Sequence, residues 1–159
     1  PSLNVRDFNS GRQPLRVVLD SRLRMPPGAR MLRDDGRTLI VTASEDLALT
    51  HALKRAGAEV APIVTPQKTV DLEALMKHLA WIEVNEVLVE AGATLCGALL
   101  RANLVDELIL YYAPHIMGSQ ERGMFALPPL LRMSDRLNVE IADVRAVGKD
   151  WRVIARVVR

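Results

Sequence analysis

Apolar positions along the 159-residue chain follow two rhythms. Short apolar runs rich in β-branched residues read as strands: Leu15 to Asp20 (LRVVLD), Arg37 to Ala43 (RTLIVTA), Ala58 to Val64, Asn85 to Glu90 and Glu107 to Ala113 (ELILYYA). Segments with helical spacing lie between them. Ser44 opens a helix that ends near Gly57, with Glu45 and Asp46 in the first turn, where the helix dipole favours acids. Asp71 to Trp81 places Leu72, Leu75, Met76 and Leu79 on one face, and Thr94 to Ala102 is a further helix of small and leucine residues. Near the end, Arg136–Val144 and Trp151–Val158 are longer strands joined around Gly148-Lys149, the pattern of an antiparallel pair. Strand–helix units followed by a hairpin predict an α/β fold. Its sheet is mainly parallel and covered by helices, with a C-terminal antiparallel hairpin.

Composition narrows the class. The length suits one domain with a real core, and no repeat, low-complexity tract or linker divides residues 1–159. Hydrophobic content of 49% with 25% charged residues is ordinary for a water-soluble domain, and no apolar run has membrane-spanning length. The start, PSLNVR, is polar and unlike a secretory leader. A single cysteine, Cys96, excludes an internal disulfide and suits a reducing cytoplasm; between Leu95 and Gly97 it reads as small packing. Net charge is only +2, but Arg6, Arg12, Arg16, Arg22, Arg24, Arg30, Arg33 and Arg37 crowd the first 40 residues. Aromatics at 4% and the absence of a recognition motif argue against a nucleic-acid surface. Solvated arginines, with one or two on a phosphorylated small molecule, fit better.

Candidate chemistry concentrates in the stretch VEAGATLCGALL, Val89 to Leu100. An apolar run ends in a carboxylate, turns at Gly92 and enters a helix whose first N–H groups lack intrahelical partners. Such a junction is either an anion site or a plain tight turn, and it matches neither GxGxxG nor GxxxxGK[ST]. Glu90 lies where ligands bind in open α/β sheets; it could hold hydroxyl groups or cap the turn. Thr42 and Ser44 stand at the mouth of the second strand, with Ser44 a natural N-cap. His51, His78 and His115 lack metal-ligand spacing, so no metal site is expected, and no GxSxG elbow occurs.

Several stretches together identify a resemblance. PSLNVR, QPLRVVLDSRLRMPP, VLVEAGATLCGALLRANLVDELILYYAPHIMGS and the closing hairpin resemble the reductase domain of the bacterial riboflavin-biosynthesis bifunctional deaminase–reductase. That family implies a dihydrofolate-reductase-like fold, a three-layer α/β/α sandwich. It implies NADPH-dependent reduction of 5-amino-6-(5-phosphoribosylamino)uracil to the ribitylamino compound. Other readings of the same fold are a related pteridine or pyrimidine reductase, or a non-catalytic nucleotide-binding or oligomerisation remnant.

Position by position, the resemblance implies that Gly92, Ala93, Thr94, Leu95, Cys96, Gly97 and Ala98 line the NADPH phosphates. Ser21 matches a cofactor-contacting serine. Leu3 and Arg6, in the PxLxVR loop, resemble substrate contacts, with Arg6 suited to the 5-phosphate. Glu90 resembles a ligand of the ribose part, placed to favour an iminium at C1′. No proton donor is singled out. The family further implies a cytoplasmic homodimer with a zinc deaminase domain upstream. The segment before PxLxVR (an opening strand, a Thr-containing cofactor loop and an acidic pair) does not occur in this chain, nor do H-x-E or P-C-x-x-C stretches. On that reading the polypeptide alone binds NADPH weakly and turns over little substrate.

Overall fold

The run TLIVT, β2 (Thr38–Thr42), is buried at every position, because it is the middle strand of a sheet covered on both faces. β1 (Arg16–Leu19) and β3 (Glu59–Pro62) flank it in parallel, with Val18 opposite Ile40 and Ile40 opposite Val60. Side chains alternate across a strand, so Ile40 faces one way and Leu39 and Val41 the other. Ile40 packs with Leu23, Ala58 and Leu53 of α1 (Leu47–Arg55). Leu39 and Val41 pack with Leu75 and Leu79 of α2 (Leu72–Trp81). Helix, sheet and helix thus form three layers. Each fully buried leucine contributes about 1.5–3 kcal/mol.

This computed structural model describes residues 3–5, 11–118 and 123–159. They divide into two compact units, Pro1–Asn85, which holds the parallel sheet, and Glu86–Arg159. In the second unit, α3 (Ala93–Arg101) precedes β4 (Glu107–Tyr112), β5 (Val139–Val147) and β6 (Asp150–Val157). These three strands form an antiparallel sheet in the order β4-β6-β5. Gly148 has φ +63° at the first of the two central hairpin residues, the place a type II′ turn reserves for glycine. The β5 register shifts between Ile141 and Asp143, a bulge that re-aims the strand.

The elements differ from the sequence reading in three places. ELILYYA is a strand, but it pairs antiparallel with β6, so the described strands divide evenly between a parallel and an antiparallel sheet. An apolar pattern does not encode pairing direction. Asn85–Glu90 is not a strand: no described strand pairs with it, and Val87, Leu88 and Val89 are exposed. Strand character needs a ladder partner, which β-branched composition alone cannot supply. The first helix begins at Leu47, not Ser44. Its N-cap is Asp46, whose carboxylate accepts from the Leu49 N–H at 2.9 Å.

The arginine-rich opening is not uniformly solvated. Arg16 is 2% exposed. Its guanidinium donates to Thr38 Oγ1 (3.1 Å) and to the carbonyls of Asp34 (3.0 Å) and Gly36 (2.6 Å), tying β1 to the loop before β2. Among the described residues, no helix is long and apolar enough to cross a membrane.

Candidate functional site

Gly92 is the N-cap of α3 with φ −79° and ψ 172°, an extended conformation open to any residue. A sharp glycine-only turn is therefore not its role. Among the described residues a Cβ added to Gly92 would meet no atom within 4 Å, so glycine here leaves space before the helix. No side chain caps α3, and the helix ladder begins with the Cys96 N–H donating to the Gly92 carbonyl at 3.2 Å. The N–H groups of Ala93, Thr94 and Leu95 precede that first bond and carry the positive end of the helix dipole.

A second wall faces this turn. Residues Ala91–Leu95 on one side and Gly123, Phe125 and Ala126 on the other enclose a cleft of about 700 Å³. The Ala126 N–H donates to the Ala93 carbonyl at 2.9 Å, joining the two walls. Gly97, buried in α3, makes the approach possible, since a Cβ there would lie 2.8 Å from the Ala126 carbonyl carbon. The described residues lining the cleft carry no charged side chain. An anion entering it would meet main-chain N–H groups and the Thr94 hydroxyl, the donor set by which helix starts hold phosphate.

Of the residues singled out in the sequence, Gly92, Ala93, Thr94 and Leu95 come together in this cleft. Cys96, Gly97 and Ala98 do not line it. The Cys96 thiol points back to the Ala91 carbonyl at 3.5 Å, Gly97 lies under Ala126, and Ala98 is half-buried. Glu90 is exposed, and its carboxylate has no hydrogen-bond or ion-pair partner among the described residues. It does not cap α3.

Ser21 and Leu3 belong to the other compact unit. Ser21 is half-buried in the turn after β1. The buried carboxylate of Asp20 holds this turn by accepting from the Met25 N–H at 2.7 Å, and Leu23 within it has φ +50°. A non-glycine residue in the left-handed region is uncommon. Leu3 has the same φ of +50°. Nearby, Gln13 clamps Val5: Oε1 accepts its N–H at 2.9 Å and Nε2 donates to its carbonyl at 3.4 Å. Beside this loop lies a polar hollow of about 360 Å³ lined by Asn4, Gln13, Arg33, Asp34 and Asp35. Arg6 lies outside the described residues. Ser44 Oγ accepts from the Asp46 N–H at 3.2 Å, and Thr42 Oγ1 from the Ser44 N–H at 3.0 Å, so both stabilise the entry to α1.

Sequence reasoning missed Gly123, Phe125 and Ala126. The usable signal was Gly97 itself, a glycine inside an otherwise apolar helical pattern, which marks a close backbone approach. Among the described residues no three His, Cys, Asp or Glu side chains cluster as metal ligands.

The model of the RibD C-terminal domain matches residues 1–153. The chain belongs to the RibD C-terminal domain family. Within the family it is similar to the riboflavin biosynthesis protein RibD of Escherichia coli K12, 39% identical over 142 residues, covering 87% of this chain and 37% of that protein. It is 29% identical over 148 residues to the 5-amino-6-(5-phosphoribosylamino)uracil reductase of Buchnera aphidicola from Acyrthosiphon pisum, covering 90% and 67% of the two chains. Among solved structures it resembles Acinetobacter baumannii RibD, form 2, with a TM-score of 0.83 and 30% identity over 99% of this chain and 43% of that one. The α/β, dihydrofolate-reductase-like fold is thus that of the RibD reductases. The chain spans well under half the length of the RibD proteins it matches.

Proposed function

We propose that this chain carries the NADPH-dependent reduction of 5-amino-6-(5-phosphoribosylamino)uracil to 5-amino-6-(5-phosphoribitylamino)uracil. The observation that carries the reading is the cleft at the start of α3. Among the described residues it is open above Gly92, lined by no charged side chain and bordered by three N–H groups outside the helix ladder, in a chain of the RibD C-terminal family. The name of the Buchnera relative supports the substrate. In the full-length protein we read a deaminase domain as the neighbour that supplies the uracil, and a homodimer as the assembly.

When bound, a dihydronicotinamide supplies the hydride. The chain's own residues do the rest. Main-chain N–H groups of Ala93–Leu95 and the Thr94 hydroxyl hold a cofactor phosphate, and Ser21 contributes a further contact. Leu3 and Arg6 take the substrate, the guanidinium of Arg6 meeting its 5-phosphate in the bidentate geometry that side chain favours. Glu90, without a partner among the described residues, is available to the ribose hydroxyls. Its negative charge favours the ring-opened iminium over the neutral imine, and hydride addition at C1′ then leaves a secondary amine.

The test is oxidation of NADPH by the full-length protein with the deaminated ribosylaminopyrimidine, repeated with NADH. Turnover with ribitylamino product and preference for NADPH supports the reading. Cofactor binding without turnover would leave only a nucleotide-binding remnant. Arg6→Ala should raise the substrate KM about ten- to a hundredfold and leave the NADPH KM unchanged. Glu90→Gln should lower kcat at near-normal NADPH affinity, and an unchanged kcat removes Glu90 from the chemistry.

A further inference from the structure

Gly97 sits mid-helix, where glycine is the poorest helix former after proline. Its position is explained by one neighbour. A Cβ at 97 would lie 2.8 Å from the carbonyl carbon and 3.0 Å from the nitrogen of Ala126, too close for any side chain. These are backbone atoms, which cannot swing aside as the end of a flexible side chain could. One helical turn earlier on the same face, the Ala93 carbonyl accepts from the Ala126 N–H at 2.9 Å. Steric fit at 97 and a hydrogen bond at 93 therefore fix the same peptide unit. Adjoining it, half-buried Phe125 presents the only aromatic side chain among the described residues lining the cleft.

We propose that the Gly97–Ala126 contact is a backbone lock that positions segment 123–127 as the second wall of the cofactor cleft, with Phe125 as its contact face. The inference rests on the reading of that cleft as the NADPH site, and adds positioning residues to it. Gly97 acts without touching the cofactor. A methyl at 97 lifts Ala126, breaks its bond to Ala93 and moves Phe125 off the cofactor.

The experiment uses the full-length protein and NADPH titration, with Gly97→Ala, Phe125→Ala, the double variant and Gly92→Val in parallel. Gly97→Ala is expected to weaken NADPH binding about tenfold, the scale of an overpacked contact. It should raise the NADPH KM and leave the substrate KM unchanged, a split that general destabilisation does not produce. Amide exchange at Ala126 should accelerate in the same variant. Because both residues act through one wall, the double variant should lose no more affinity than the weaker-binding single variant.

Normal NADPH affinity in Gly97→Ala, with affinity lost in Gly92→Val, overturns the lock while the cofactor cleft stands. Additive losses in the double variant overturn it too. Should Gly97→Ala fail to fold, Phe125→Ala decides, since it leaves the helix untouched; normal affinity there removes the wall from the site. Normal affinity in all variants, Gly92→Val included, fells both the lock and the cofactor reading beneath it.

Discussion

Gly92 and Gly97 lie five residues apart in one short stretch and are glycine for different reasons. At Gly97 a side chain is forbidden by protein atoms, whereas at Gly92 none of the described residues forbids one. That contrast makes Gly92→Val a clean probe. Its backbone is extended, so valine enters without strain, and the cost to the helix cap is about 0.5–2 kcal/mol at most. NADPH affinity should fall more than tenfold while thermal stability stays near wild type, as read by calorimetric titration and melting in parallel. Unchanged affinity would mean that no ligand occupies the space above Gly92. Here the sequence was informative about place and silent about cause. It put Gly92 at the start of a helix, but the strand expected before it is absent among the described elements, and only the backbone conformation separates a glycine needed for a turn from one needed for vacancy.

Elements were legible wherever one segment's own periodicity decided them. α2 follows the Leu72, Leu75, Met76, Leu79 stripe and starts at the Asp71 cap, whose carboxylate accepts from the Ala74 N–H at 2.9 Å. Asp71→Ala should therefore destabilise by about 0.5–2 kcal/mol in urea melts, and no change would show that the cap is made only by solvent. What one segment could not decide was pairing. β4 turned antiparallel and residues 85–90 found no partner strand among the described residues, because both outcomes depend on distant chain. The second wall of the cleft was hidden for the same reason: Ala126 meets α3 through backbone atoms that leave no pattern in residue type.

The antiparallel sheet also carries a charge cluster with a definite pH signature. Asp143, just after the β5 bulge, accepts from Arg145 at 2.8 and 3.0 Å and from Arg152 at 3.1 Å. Hydrogen bonds from Arg145 and then Arg152 hold its carboxyl below the ordinary aspartate value. A depressed folded pKa means the folded state binds its proton less readily than the unfolded chain. The contribution is thus complete above the ordinary aspartate value, near about 3.9, and is lost as pH falls through the folded value. Wild type and Asp143→Asn should differ in stability at neutral pH and converge in acid. A gap that persists in acid would assign the effect to packing. Arg145 is well exposed, so the neutral-pH gap should also shrink with added salt.

At the scale of the whole molecule, ligand binding and stability are linked by mass action. A cofactor that binds only the folded protein stabilises it by RT ln(1 + [L]/Kd), about 2.7 kcal/mol when present at a hundred times its Kd. The described residues lining the cleft, Ala91–Leu95 with Gly123, Phe125 and Ala126, all belong to the second compact unit. Protection from hydrogen exchange on adding NADPH should accordingly be strongest in α3's first turn and in segment 123–127. Protection gained at the Ser21 turn in the first unit is the readout for the Ser21 contact, and none there removes Ser21 from the cofactor site. In Gly92→Val the same addition should protect all three segments less, because the binding term shrinks with the affinity while the fold remains. Protection confined to the parallel sheet, with none at α3, would move the cofactor out of this cleft and leave its open helix start without a ligand.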